Sequence, residues 1–349
     1  MPLTTTTIGA YPKPDYIEVP DWFNITSGPD TAEPTMGWAK AVEAMGEEAE
    51  AIFARGVKEV IEDQVGAGID IPTDGEVRRE NYIHYHCRHL AGFDFENLTE
   101  KEVRGVYSAK LPTIRGPLRA GENFLPHDWR VAQSYTDTSV KITIPGPMTI
   151  ADTVVDAHYN DAARLGRDLA TALNAEVRAL AEAGCRHIQI DEPVFARQPE
   201  NALAYGFENL DRCFHDTPPE VVRTVHMCCG YPDRLDHPDY PKAPKESYDR
   251  IAAAIEDSSI MAVSIEDAHR HNDLGLLEAF KTTSVILGVV AIAKSRVEPV
   301  EEIRDRLTAA LQHIDADRLI AAPDCGLGLL GRDLSLKKLR NLGDAAHSL

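Results

Sequence analysis

Five places in this chain put ionisable or sulfur-bearing side chains directly behind an apolar run: Asp74-Gly75-Glu76, Asp191-Glu192-Pro193, His226-Met227-Cys228-Cys229, Glu266-Asp267 and Asp324-Cys325-Gly326. Burying so many such groups together is costly unless they hold a metal or a charged ligand. His226 and Cys228 are separated by one residue, so on an extended strand end they point to one face and can share an ion. With Cys325 and Glu266 entering from neighbouring strand ends, the donors are two sulfurs, one nitrogen and one oxygen, a set that suits Zn²⁺ in tetrahedral geometry. Two thiolates and a carboxylate leave such a zinc electron-rich and a poor Lewis acid toward water. It suits another task, keeping a substrate thiol as a nucleophilic thiolate near neutral pH.

The other reactive side chains have plainer readings. Cys87, Cys185 and Cys213 read as small buried hydrophobes, since free cysteine is among the most buried residue types. Cys229 faces away from Cys228 on an extended strand and reads as a supporting or structural group. His84, His86 and His89 form an H-x-H-x-x-H cluster without an acidic or sulfur companion, which reads as a polar loop or helix start. His269 and His271 fit a pocket wall or a solvated helix start equally. The pairs Asp74/Glu76 and Asp191/Glu192 fit either helix caps or a pocket, and their position behind apolar strands, with Pro193 enforcing a turn, favours the pocket.

The elements that must position these groups are parallel α/β units. Eight β-like runs, Thr5–Ala10, Gly68–Thr73, Val140–Ile144, His187–Ile190, Thr224–His226, Ala262–Ile265, Val285–Ile292 and Leu319–Ala322, alternate with helical patterns such as Trp38–Val65, Ala162–Ala183, Tyr248–Glu256 and Val300–His313. Eight is the number of the (β/α)₈ TIM barrel, whose chemistry gathers at the C-terminal strand ends. The 349 residues are expected to form one domain, with an insertion at about 85–139 after strand two that carries extra strands around Ala109–Ile114. A proline-rich loop, Tyr231–Lys245, follows the fifth strand, where barrel loops meet substrate. A formal net charge of −20 repels phosphate backbones and anionic lipid surfaces, which excludes nucleic-acid binding as a main function. The absence of a membrane-length apolar run and of a secretory signal at the start predicts a cytoplasmic protein.

The same residues resemble a known family. Thr5-Thr6-Thr7-Ile8-Gly9 with Tyr11-Pro12, Asp74-Gly75-Glu76, Pro145-Gly146-Pro147-Met148-Thr149, Ile188-Gln189-Ile190-Asp191-Glu192-Pro193, His226-Met227-Cys228, Ser264-Ile265-Glu266 and Pro323-Asp324-Cys325-Gly326-Leu327 are similar, in order, to motifs of the catalytic barrel of the cobalamin-independent methionine synthases. The resemblance is to a core-only form of that barrel. It implies methyl transfer to homocysteine with zinc on His226, Cys228, Glu266 and Cys325. It also implies Glu76 and Asp191 on the substrate amino group, and backbone near Ile8 and Ala10 on its carboxylate, with Ala10 standing where the family has serine. Two departures fall on the donor side: Thr153 takes the place of a folate-stacking tryptophan, and Ala293 that of a catalytic histidine. The donor is therefore left among methyltetrahydrofolate, a methylcorrinoid protein and a small methylated metabolite. Alkylation of another thiol, as in the related epoxyalkane:coenzyme M transferases, is the second reading; coenzyme M lacks the amine that Glu76 and Asp191 would neutralise. A non-catalytic zinc-holding partner protein is the third.

Overall fold

Apolar, β-branched segments of four to seven residues, buried on both faces, make the central sheet, as parallel strands covered by helices require. The structure is a computed structural model that describes residues 2–23, 32–103, 107–237 and 240–349. Its strands in chain order are β1 (Thr4–Thr5), β2 (Leu90–Val103), β3 (Tyr107–Ala120), β4 (Lys141–Pro145), β5 (Val155–Asp156), β6 (His187–Asp191), β7 (Val222–Met227), β8 (Ala262–Ile265), β9 (Ser284–Val290) and β10 (Leu319–Pro323). Seven of them form one parallel, curled sheet in the order β1-β10-β9-β8-β7-β6-β4. The expected second strand is reduced to parallel bridges, Thr6 with Ile71 on one side and Thr73 with Lys141 on the other. The expected first strand is also shorter, because Ile8–Ala10 leave the ladder: the Ile8 carbonyl accepts from Gln189 (2.8 Å) and the Ala10 carbonyl from the Leu327 N–H (2.6 Å).

Helices return the chain between strands. Ala162–Ala183 is the clearest, started by Asp161, whose carboxylate accepts from the Ala163 and Arg164 N–H groups, and stopped by Gly184 at φ 112°. The single helix expected over Trp38–Val65 is two, Ala32–Met45 and Ala49–Gly66, hinged where Gly46 takes φ 56°. Between residues 85 and 139 lies an antiparallel hairpin, β2 with β3, which β5 joins in a second sheet. Lys101 of that hairpin donates to the carbonyls of Asp152 (2.9 Å) and Val154 (2.8 Å), tying it to the end of the helix Pro147–Thr153. Among the described residues no helix is long and apolar enough to cross a membrane.

Candidate active site

The C-terminal ends of β6, β7 and β10, with the loops after β1 and around Glu76, enclose a tight cavity of about 70 Å³. Ile8, Ala10, Glu76, Asp191, His226, Cys228 and Cys325 all line it. The donor atoms of His226, Cys228 and Cys325 lie within 4.8 Å of one another. At metal bond lengths of about 2.0–2.3 Å one zinc ion reaches all three with little adjustment. His226 Nε2 is 3.3 Å from Cys325 Sγ, and its Nδ1 is 2.9 Å from Ser264 Oγ, a partner that fixes the ring and leaves Nε2 for the shared centre. The hydrogen bond from Cys325, then one from His226, holds the Cys228 thiol well below its ordinary range, while Cys228 and burial push Cys325 up.

Glu266 stands apart from this trio. One carboxylate oxygen is 2.5 Å from Lys242 Nζ and the other accepts from the Cys229 N–H at 3.1 Å. Its grouping is with His269 and Asp324.

The substrate-side carboxylates are aimed by backbone geometry. Gly75 and Glu76 both take left-handed φ, 67° and 55°, turning Glu76 into the cavity. Its Oε1 accepts from Thr143 Oγ1 (2.8 Å) and lies 3.6 Å from Arg79, and burial outweighs Arg79 to raise its pKa. A side chain on Gly9 would meet Glu76 Oε1 at 2.6 Å, so any larger residue there would displace that carboxylate. Asp191 accepts from Gln189 Nε2 (2.7 Å) and is pushed up to about 7 by burial. Each acidic pair divides its labour. Asp74 accepts from the Glu76 N–H and pairs with Arg79, while Glu192 accepts from the N–H groups of Met148 and Thr149 at the start of the helix Pro147–Thr153. Asp191 and Glu76 face the cavity; Glu192 and Asp74 hold the backbone.

Sequence reasoning missed the aromatic wall. Trp22, Phe23, Tyr82 and Tyr231 line the cavity, with Trp22 packed edge-on against Tyr82 (6.1 Å) and Phe23 against Tyr231 (5.8 Å). The Tyr231 hydroxyl donates to the Gly326 carbonyl at 3.0 Å, closing the loop after β7 over the loop after β10. Asp21-Trp22-Phe23, in the loop after the first strand, was the available signal. Thr153 lies outside the lining, its hydroxyl turned back onto the Thr149 carbonyl.

The remaining candidates fall outside. His84 and His86 are buried in the helix Tyr82–Cys87, on Thr35 Oγ1 and the Tyr82 carbonyl, and the half-buried His89 stacks on Phe124 at 3.7 Å, so the helix-start reading holds and the polar-loop one does not. Cys87, Cys185 and Cys213 are fully buried, with burial raising each thiol. Cys229 is buried, and its N–H braces Glu266. His269 is not at a helix start; it is held by Asp324 at 2.6 Å.

The model of the cobalamin-independent synthase catalytic domain matches residues 3–204 and 243–348. The chain belongs to this family. His226 and Cys228 lie in the segment the match leaves out, so their place rests on the geometry above. Family relatives include the methionine synthases of Sulfolobus acidocaldarius, 27% identical over 343 residues covering 97% of this chain and 90% of that protein, and of Saccharolobus solfataricus, 28% identical over 341 residues covering 97% and 92%. A B12-independent methionine synthase from Shewanella sp. W3-18-1, solved in complex with selenomethionine, superposes with a TM-score of 0.85 at 28% identity, covering 99% of this chain and 97% of that one.

Proposed function

We propose that this protein is a zinc-dependent thiol methyltransferase that converts homocysteine to methionine. The observation that carries the reading is the convergence of His226, Cys228 and Cys325 in the same small cavity as Glu76 and Asp191. A thiol-activating centre and a cation-binding pair lining one cavity fit an amino acid that ends in a thiol. The selenomethionine bound to the Shewanella relative is a product-class ligand for such a cavity.

His226, Cys228 and Cys325 would hold zinc, with Glu266 as the fourth ligand once it leaves Lys242. When bound, zinc supplies the positive charge that favours the deprotonated form of a substrate thiol. Glu76 and Asp191 bind the substrate ammonium group, and the backbone at Ile8 and Ala10 bounds the place of its carboxylate. Trp22, Phe23 and Tyr231 exclude water, and orientation of the sulfur toward the incoming methyl carbon accounts for much of the rate. Methyl transfer forms the new sulfur–carbon bond as the donor's bond to the methyl group breaks, and the electron pair leaves with the donor. Coenzyme M would leave Glu76 and Asp191 buried without a cation, which favours homocysteine over it.

The same reading makes residues 71–73 the eighth stave of a closed (β/α)₈ barrel, and the chain one domain with an insertion at about 85–139. Metal analysis tests the centre. Purified protein is expected to carry about one zinc per chain, lost in Cys228→Ser and in Cys325→Ser and kept in Cys87→Ser, Cys185→Ser and Cys213→Ser. Full zinc in both of the first two variants would overturn the ligand assignment.

A further inference from the structure

Beside the active site, and sharing no lining residue with it, lies a second cavity of about 560 Å³ that reaches the surface at the exposed Lys294. Its walls include Lys242, Arg270 and Lys294, a basic cluster in a chain of formal charge −20, together with Tyr240, His269 and Ala293. Among the described residues the nearby acids are already engaged. Asp236 and Glu302, which feel the Lys294 charge, hold the Ser295 N–H and Arg296. Glu266 is held by Lys242 and the Cys229 N–H. Asp324 accepts from the N–H groups of Asp267, Ala268 and His269 and from the His269 ring. Asp233 holds Arg234 and His237.

Several donors are left over. Among the described residues Arg270 makes one hydrogen bond, to the Ala243 carbonyl at 2.9 Å, and most of its guanidinium fork has no partner among them. Lys294 has no hydrogen bond or ion pair among the described residues, and the Tyr240 hydroxyl is buried without a partner among them. Ala293 presents only a methyl group, so the floor stays open between Arg270 and Lys294. Lys242 links this cavity to Glu266: its ammonium group lies over the Tyr240 ring at 4.7 Å and 2.5 Å from the Glu266 carboxylate.

We infer that this cavity binds a small anion bearing a carboxylate or phosphate group, and that Lys242, shared with Glu266, couples its occupancy to the metal site. Arg270 offers a planar fork that matches either oxyanion, and Lys294 adds a point charge at the mouth. An anion that draws Lys242 toward itself weakens its hold on Glu266 and frees that carboxylate to approach His226, Cys228 and Cys325. Only the coupling rests on the zinc reading; the anion site stands on its own walls.

Calorimetric titration of the zinc-loaded protein at low ionic strength with inorganic phosphate, and separately with glutarate, tests the site and distinguishes the two oxyanions. Saturable binding of at least one of them is expected, weakened about ten-fold or more in Arg270→Met and weakened also in Lys294→Glu, an exposed change that leaves the fold intact. Saturable binding by neither anion, or wild-type affinity in both variants, would overturn the site. Zinc release to a chelator should slow several-fold with the anion bound, and Glu266→Gln should abolish that effect; unchanged release in the wild type would overturn the coupling. Cys228→Ser separates the two readings. It is expected to lose zinc and still bind the anion, whereas loss of anion binding with zinc retained would contradict both.

Discussion

The environment of Asp191 is costly and explains much of the site. Burial pushes its carboxyl up to about 7, a penalty that an incoming ammonium group offsets. A charge-assisted hydrogen bond contributes roughly 1.5–3 kcal/mol, or about one to two decades in affinity. Asp191→Asn is therefore expected to weaken L-homocysteine by that factor and to leave 4-mercaptobutyrate, which lacks the amine, unchanged in the same calorimetric titration. Equal losses would show that Asp191 does not read the amine. The same shift sets a pH dependence. The folded value lies above the ordinary 3.8, so the native state binds more protons than the unfolded chain between about pH 4 and 7, and stability falls as pH rises through that window. Asp191→Asn should remove this slope and gain on the order of 1–3 kcal/mol at pH 8, with the gap closing toward pH 4, as urea unfolding at several pH values would report. Wild type and variant with parallel pH profiles would contradict the burial argument. At this scale the convergence of His226, Cys228, Cys325, Glu76 and Asp191 on one cavity was legible because motif order and one-residue spacing survive folding. The engagement of Glu266 was not, because Lys242 comes from an irregular segment whose approach no spacing announces.

Elements turn those residues inward, and the turn at Gly75-Glu76 does so with the least slack. Gly75 has φ 67°, and a side chain there would meet Val60 Cγ1 at 2.4 Å. Left-handed backbone costs a non-glycine residue roughly 1–2 kcal/mol, and overpacking against a core valine adds about 1–3 kcal/mol. Gly75→Ala should lower the melting temperature and, because it displaces Glu76, raise KM for homocysteine while zinc content stays unchanged. An unaltered KM in a folded variant would show that the turn does not aim Glu76. The strands after residue 139 matched their expected places to within a residue or two, since continuous apolar runs between polar loops leave few alternatives. The helix break at Gly46 did not, because the apolar spacing continues through it and only the backbone reverses. The pairs Asp74/Glu76 and Asp191/Glu192 each hid two roles for a related reason. Adjacent residues at a strand end diverge, and which one meets a helix N-terminus depends on a segment far along the chain.

At the scale of the molecule, the curled parallel sheet brings the ends of β6, β7 and β10, at Asp191, Met227 and Pro323, to one mouth, and His226, Cys228 and Cys325 meet there. On the proposed reading the donor side departs from the family pattern at Thr153 and Ala293. Thr153 turns its hydroxyl back onto the Thr149 carbonyl and lies outside the cavity, whose aromatic wall is Trp22, Phe23, Tyr82 and Tyr231. At Ala293 the ring of His269 accepts from the backbone N–H at 3.3 Å while its other nitrogen is bound to Asp324, so the nearest imidazole already has partners on both sides. General acid assistance typically contributes about 10²–10⁴-fold, so a folate donor, whose leaving nitrogen needs a proton, is expected to react slowly, whereas methylcobalamin needs none. Methionine formation from L-homocysteine by the zinc-loaded protein is the most direct test of the central claim, run in parallel with methylcobalamin and with monoglutamyl and triglutamyl methyltetrahydrofolate. The account predicts methionine from homocysteine, faster with methylcobalamin than with either folate and abolished in Cys325→Ser; no methionine from any of these donors with fully zinc-loaded protein, or undiminished turnover in Cys325→Ser, would contradict it.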